Sequence, residues 1–295
     1  MGKDLFDNFA VAKQTFEEAD DALGFKLSEM CFAGSVEDLA LTENTQPAIL
    51  TVSVAAFRAA VSQEFPTPAV VAGHSLGEYS ALVAAGAMSF TDAVRTVRQR
   101  GRFMQEAVPQ GVGAMAAILG ADLAAVETVC REAASGEVCS PANINSPGQI
   151  VIAGHAAAVN RAIELLKTRG AKRAVLLNVS APFHCALMLP AQQRLANTLQ
   201  NIAFKDLQTP LVQNVDAQPN DDREKITDAL VRQVSSPVRW SETVDFLINS
   251  GVTTFVEFGA GKVLSGLIRQ TNRDSRCLNV EDVASLTVTQ AELRN

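Results

Sequence analysis

The stretch Pro68-Ala69-Val70-Val71-Ala72-Gly73-His74-Ser75-Leu76-Gly77-Glu78 joins a short apolar run to a series of small, helix-forming residues. Pro66 and Pro68 bound the run on one side and Gly73 on the other, which predicts a buried parallel strand over Pro68–Ala72. Residues Glu78 to Ala87 predict a helix. Strand, Gly-x-Ser-x-Gly turn and helix is the context in which this pattern works as a nucleophile elbow. The two glycines, Gly73 and Gly77, are expected to let the chain turn sharply without a Cβ clash, lifting the Ser75 hydroxyl clear of the sheet. The helix that follows points free N–H groups back at the turn. The Leu76 N–H is therefore placed to bind the oxyanion of a tetrahedral intermediate. In the plainer alternative, Ser75 only caps the helix; the flanks on both sides favour a nucleophile for acyl transfer.

Outward from the elbow, the chain changes style twice. Before it, helices are predicted over about 4–23 and 46–64, with Thr45 ahead of the second and Pro47 near its first turn. After it, about 91–107 keeps Val94, Val97, Met104 and Val108 on one face. The middle then reads as strand Gly113–Leu119, helix Ala121–Ala134, strand Val138–Ile144, a turn at Asn145-Ser146-Pro147-Gly148, strand Gln149–Ala153, helix 156–169 and strand Arg173–Val179. That βαββαβ order, within about seventy residues, is the ferredoxin-like pattern. Residues 111–180 are expected to form a small domain inserted into a larger α/β domain of residues 1–110 and 181–295. From Ser180 helices return (about 186–201, 223–234 and 241–250), then strand Thr253–Phe258, a helix at 262–271, strand Arg276–Val280 and a helix at 283–294.

A serine hydroxyl near neutral pH needs a base, and the chain has 3 histidines. His74 adjoins Ser75 in a sharp turn, where neighbouring side chains diverge, and reads as pocket wall. His155 starts a helix of the small domain and reads as a capping or surface residue. His184, in Val179-Ser180-Ala181-Pro182-Phe183-His184, lies where the chain leaves the small domain, and such junctions form clefts; it is the candidate base. Asp216, Glu242, Asp245 and Glu257 follow it, but none sits in a motif that singles it out as the group orienting the imidazole. Cys185 beside His184 lacks an elbow of its own and reads as a core thiol. Gly259-x-Gly261-Lys262 fails as a phosphate loop, because Val256 and Val263 stand where that motif requires Gly and Ser or Thr.

Composition sets the outer bounds. With 295 residues, 47% of them apolar, the chain can bury a sizeable core. No run reaches the ~18–20 apolar residues of a membrane span. Met1-Gly2-Lys3-Asp4-Leu5-Phe6 shows no apolar secretory region, and Phe6 stands where myristoylation wants Ser or Thr. The 5 cysteines are scattered without a Cys-x-x-Cys pair, and the formal charge is −7. A cytoplasmic protein with reduced thiols is expected, without nucleic acid or membrane as partner.

Several motifs together carry a resemblance. They are Thr45-Gln46-Pro47-Ala48, Gly73-His74-Ser75-Leu76-Gly77-Glu78, Arg100-Gly101-Arg102-Phe103-Met104-Gln105, Asn143-Ile144-Asn145-Ser146-Pro147-Gly148-Gln149, Ser180-Ala181-Pro182-Phe183-His184 and Glu257-Phe258-Gly259-Ala260-Gly261-Lys262. In order and spacing, over nearly the whole length, the chain resembles the malonyl-CoA:acyl carrier protein transacylases of type II fatty acid synthesis. The resemblance implies a hydrolase-like α/β core with a parallel sheet and a ferredoxin-like insertion. It implies Ser75 as nucleophile, His184 as base and the backbone carbonyl of Gln233 as the imidazole's partner. Arg100 matches the ligand of the malonyl carboxylate, which a planar guanidinium can grip at both oxygens; Arg95, Arg98 and Arg102 share its helix. Phe183 matches a malonyl-selective wall, worth ~1–3 kcal/mol against an α-methyl branch. Gln46, Asn143 and Asn145 fall in the substrate-binding motifs.

The resemblance further implies malonyl-CoA as acyl donor, an acidic acyl carrier protein as acceptor and no resident metal or redox cofactor. Lys167, Arg169, Lys172 and Arg173 are candidates for meeting the carrier. Relatives open with an apolar strand and a Gly-Gln-Gly-Ser-Gln turn ahead of Met-Gly-Lys-Asp-Leu, which this sequence has at Met1–Leu5. Lack of that strand and of the oxyanion donor on its turn is expected to weaken activity or stability. The alternatives are a serine esterase or thioesterase and a truncated, inactive carrier-binding homologue.

Overall fold

A computed structural model describes residues 1–294, so Asn295, the last residue of the expected large domain, lies outside the described residues. The strand leading into the elbow is short, Val71–Ala72, and pairs in parallel with Leu211–Val212, which in turn pairs antiparallel with Pro219–Asn220. A second, parallel pair joins Thr254–Phe258 to Arg276–Val280. The parallel sheet expected of the large part is thus realised as two separate pieces. Prolines explain part of this: Pro68 and Pro210 flank the paired residues and have no N–H to extend a ladder. Overall the chain has a mixed α/β architecture.

Helices do most of the burying. Thr42–Ser62, the longest, packs against Ala10–Leu23 and Phe90–Glu106, and its Ala48, Leu50, Val52, Ala55 and Ala59 enter one core with Phe16, Leu82, Val94 and Met104. It begins at Thr42, earlier than expected, and takes Pro47 inside. The helix expected over 4–23 is broken at Phe9, whose backbone is extended at φ −125°, into Lys3–Asn8 and Ala10–Leu23. With that break Phe6 meets Phe16 and Phe32 at ring-centroid distances of 5.7 and 5.0 Å. Two short helices that the spacing does not predict, Leu27–Ala33 and Val36–Ala40, follow. The buried Asp20 carboxylate accepts from the Ser28 N–H at 2.8 Å and fixes the first of these.

The middle of the chain builds its own sheet. In space the strands run Cys139–Ser146, Gln149–His155, Gly113–Leu119, Arg173–Leu176, each antiparallel to its neighbour. Alternation along a strand separates its faces. Ile118, Ile150 and Ile152 meet Val126 and Val129 of helix Leu123–Ala134 and Ile163 and Leu166 of helix Ala156–Thr168. On the opposite face Met115, Val151 and Ala153 pack with Cys185, Phe183 and Leu187. The last strand ends at Leu176, short of the expected Val179. Backbone bonds from Ile144 N–H to the Val238 carbonyl and from Val238 N–H to the Ala142 carbonyl, both 2.9 Å, fasten the sheet to the rest of the chain.

At the elbow only one glycine is required for space. A Cβ on Gly73 would lie 2.0 Å from the Gly77 carbonyl oxygen, whereas a Cβ on Gly77 meets nothing within 4 Å. This corrects the expectation that both are needed: the turn folds its later residues over Gly73, and Gly77 is already helical. Gly73→Ala is expected to lower the unfolding free energy by about 1–3 kcal/mol or more. Gly77→Ala should be neutral or raise it by up to about 1 kcal/mol. Urea denaturation of the two variants checks both.

Candidate active site

Ser75 sits in the left-handed region at φ 51°, a conformation that costs a non-glycine residue about 1–3 kcal/mol and persists only when surroundings enforce it. Here Asn214 enforces it. Its Oδ1 accepts from the Ser75 N–H at 2.6 Å and its Nδ2 donates to the Gly73 carbonyl at 2.8 Å. Gln233 Nε2 donates to the Ser75 carbonyl at 2.9 Å. The next residue, Leu76, caps helix Gly77–Ala84, and its N–H has no hydrogen-bond partner among the described residues. It is the free donor the elbow pattern predicts beside Ser75.

His184 is 4% exposed and also left-handed, at φ 58°. Its Nε2 lies 2.8 Å from Ser75 Oγ and its Nδ1 2.9 Å from the backbone carbonyl of Gln233. A carbonyl only accepts, so Nδ1 carries the proton and Nε2 is left to accept from the Ser75 hydroxyl. Burial first, and then the positive charge of Arg100, push the imidazole down to about 3, against the opposing bond to Gln233. Asp216, Glu242, Asp245 and Glu257 are elsewhere. Asp216 is gripped by Arg232 at 2.7 and 2.9 Å, and Glu242 pairs with Arg239. Glu257 caps helix Val263–Thr271 through the N–H groups of Leu264 and Ser265, and Asp245 is raised by partial burial.

Arg100 projects from helix Phe90–Glu106 and is 2% exposed. One terminal nitrogen donates to Gln46 Oε1 at 2.7 Å; the other donates to Gln233 Oε1 at 2.9 Å and to Ser75 Oγ at 3.1 Å. Its Nε is buried without a partner, and no carboxylate lies within ion-pair distance among the described residues. The other arginines of the helix are spent differently: Arg95 on the Ala22 carbonyl, Arg98 on Asn44, Arg102 on Glu106. Arg100 alone of the four reaches Ser75. It is a buried cation held by neutral oxygens, and burial lowers its proton affinity.

The remaining predicted residues divide. Gln46 touches Arg100 directly. Asn145 Oδ1 lies 2.9 Å from His74 Nε2, and the His74 ring is tilted against Trp240 with 5.7 Å between centroids. Asn143 is buried and pairs through its backbone with Val238. Phe183 packs between the two cores. His155 Nδ1 accepts from the Val138 N–H, Cys185 is buried and bonds the Pro182 carbonyl, and the Gly261 N–H is taken by Glu281. Two residues were not anticipated in the site, Asn214 and Glu78. Glu78 did leave a signal, being the one charged residue in helix Gly77–Ala84; Asn214, distant in sequence, left none. A groove of about 560 Å³ lined by Arg95, Gln99, Phe103 and Arg194 lies apart from these residues. Among the described residues no group of His, Cys, Asp or Glu is arranged to hold a metal, and no helix is long and apolar enough to cross a membrane.

An α/β frame with a serine elbow, a buried histidine against its hydroxyl and a cation beside both defines an acyltransferase. The acyl transferase domain family matches residues 1–294, and the chain belongs to that family. It is 50% identical over 283 residues to the malonyl CoA-acyl carrier protein transacylase of Bacillus subtilis, covering 96% of this chain and 89% of the relative. The structure of the malonyl CoA-acyl carrier protein transacylase from Coxiella burnetii superposes with a TM-score of 0.98 at 42% identity, covering 100% of this chain and 93% of that one. A malonyl-transacylase solved in complex with a type II PKS acyl-carrier protein gives 0.97 at 47%, covering 99% and 94%.

The buried imidazole sets a pH expectation. A base works when neutral, and His184, lowered from 6.5 to about 3, is neutral at every pH well above that value. Since kcat/KM reports groups of the free enzyme, that for acyl transfer in Glu78→Gln, which lacks the buried carboxyl that burial raises to about 7, should stay level from neutrality down to about pH 5. An acid limb centred on the ordinary histidine value would contradict this reading of the site.

Proposed function

We propose that this chain transfers a malonyl group from malonyl-CoA to the phosphopantetheine thiol of an acyl carrier protein, through a malonyl ester on Ser75, in fatty acid biosynthesis. The observation that carries the proposal is the position of Ser75 Oγ, 2.8 Å from His184 Nε2 and 3.1 Å from a guanidinium nitrogen of a buried, carboxylate-free Arg100. A substrate carboxylate supplies the anion that Arg100 lacks. In the first half-reaction Ser75 Oγ bonds to the thioester carbon as its proton passes to His184 Nε2, and the oxyanion meets the Leu76 N–H. The C–S bond then breaks, and the imidazolium returns its proton to the coenzyme A sulfur. In the second, the carrier thiol gives its proton to His184 and attacks the ester carbonyl; the bond to Ser75 Oγ then breaks, and Oγ takes the proton back from the imidazolium. Bonds and protons balance with these groups alone, so no resident cofactor enters the proposal.

Arg100 has a second effect in this scheme. Its charge disfavours the imidazolium in the empty site. A bound malonyl carboxylate cancels that charge beside His184, so the acid-bearing substrate also strengthens the base that activates Ser75. Neutral acyl groups gain neither effect.

The same proposal includes the domain organisation: a ferredoxin-like small domain of residues 111–180 set into a hydrolase-like domain of 1–110 and 181–295. The four-stranded antiparallel order with both helices on one face supports it. Of the four basic residues expected to meet the carrier protein, Lys167 and Arg169 are engaged by Glu164 and Glu132. Exposed Lys172 and Arg173 form no ion pair among the described residues and are the better placed pair.

Incubation with malonyl-CoA followed by intact-protein and peptide mass spectrometry tests the route. A malonyl adduct on Ser75 that moves to added holo carrier protein is expected. Steady coenzyme A release with neither adduct nor transfer would make the chain a thioesterase. Arg100→Ala should lower kcat/KM for malonyl-CoA by ~10²-fold or more, as for truncating one member of a buried charge pair, while acetyl-CoA is affected far less. Unchanged selectivity removes Arg100 from its role.

A further inference from the structure

Glu78 follows the elbow in the first turn of its helix and is 0% exposed. It touches neither the Ser75 hydroxyl nor the His184 ring. Its Oε2 accepts from the Asn214 backbone N–H at 3.0 Å and from Gln233 Nε2 at 2.9 Å, while its Oε1 is buried without a partner. Those two residues hold everything else. Asn214 pins the backbone on both sides of the elbow. Gln233 binds the Ser75 carbonyl with its amide nitrogen, the Arg100 guanidinium with its amide oxygen and His184 Nδ1 with its backbone carbonyl.

We infer that Glu78 is a positioning residue for the transfer reaction: a single carboxylate oxygen ties Asn214 to Gln233 and so sets the Ser75 backbone, the His184 ring and the Arg100 guanidinium together. The inference rests on the roles of Ser75, His184 and Arg100 proposed above. Its physical basis is the sharing of one acceptor. With Oε2 removed, the buried Asn214 N–H loses its partner and the Gln233 amide loses one of its two acceptors, so the Gln233 side chain, held then only by Ser75 and Arg100, can shift and take Arg100 with it. A displacement of about 1 Å at a reacting group can cost ~10²-fold in rate. The unused Oε1 makes a specific prediction. A glutamine can place its carbonyl oxygen where Oε2 stands and its amide nitrogen where Oε1 stands, keeping both bonds and discarding the charge.

The experiment is rapid-quench formation of the malonyl-enzyme in Glu78→Ala and Glu78→Gln, with malonyl-CoA and acetyl-CoA, on chains shown to be folded by circular dichroism. Glu78→Ala should acylate ~10²-fold more slowly, with KM little changed and with a smaller preference for malonyl over acetyl, since Arg100 is no longer aimed. Glu78→Gln should recover to within about tenfold of the parent. A folded Glu78→Ala that acylates at the parent rate overturns the inference, as does a Glu78→Gln no faster than Glu78→Ala. If Glu78→Ala does not fold, Glu78→Met, which fills the same space without an acceptor oxygen, takes its place and is combined with Gln233→Leu. Losses that are less than additive support the tie, and additive losses refute it. A parent chain that forms no adduct defeats the proposed function itself; normal loading in parent and variants defeats only this inference.

Discussion

The Arg100 guanidinium, 2% exposed and within 3.1 Å of the Ser75 hydroxyl, constrains the rest of the site. Taking such a group out of water costs several kcal/mol even after relaxation. The chain answers with the amide oxygens of Gln46 and Gln233, which satisfy N–H groups but bring no net charge. To deliver them, helix Thr42–Ser62, helix Phe90–Glu106 and the end of helix Ile226–Gln233 must converge on one point. The nearby Glu78 carboxyl offsets the charge only in part, because burial pushes it up to about 7 and its bonded oxygen is turned to Asn214 and Gln233. The result is a cation that is geometrically satisfied and electrically unsatisfied.

That state explains why the imidazole is oriented by a carbonyl. A carboxylate at the position of the Gln233 oxygen would orient His184 equally well, but it would also be an anion buried close to Arg100. The two would attract strongly in a low-dielectric pocket, and the charge reserved for a substrate would be cancelled from within. Gln233 avoids this by serving Arg100, Ser75 and His184 with dipoles only. Asp228, Asp216 and Glu242, acids on either side of this segment, are kept on Arg232 and Arg239.

Much of this was legible in the sequence where the signal is local. The elbow, the small sheet with its helices and the choice of His184 all follow from short patterns, and the structure brings His184 and Ser75 together across 109 residues. The four basic positions of helix Phe90–Glu106 could not be told apart by spacing; resemblance singled out Arg100, and the structure separates it by burial. What stayed hidden depends on tertiary contact. Strands Leu211–Val212 and Pro219–Asn220 are too short to show a period of two. Asn214 lies 139 residues from Ser75 and reaches it only because one of those strands pairs with the strand entering the elbow. Gly77 was read as a turn glycine from the motif, whereas the crowding is all at Gly73.

The left-handed backbone shared by Ser75 and His184, at φ 51° and 58°, reaches beyond strain. A β-branched side chain is an outlier there, while histidine is among the residues that enter this region more readily. Threonine offers the same hydroxyl as serine, yet the turn rejects its branched Cβ before its chemistry is ever tried. The identity of both reacting side chains is therefore narrowed twice, once by proton transfer and once by the path of the main chain that carries them.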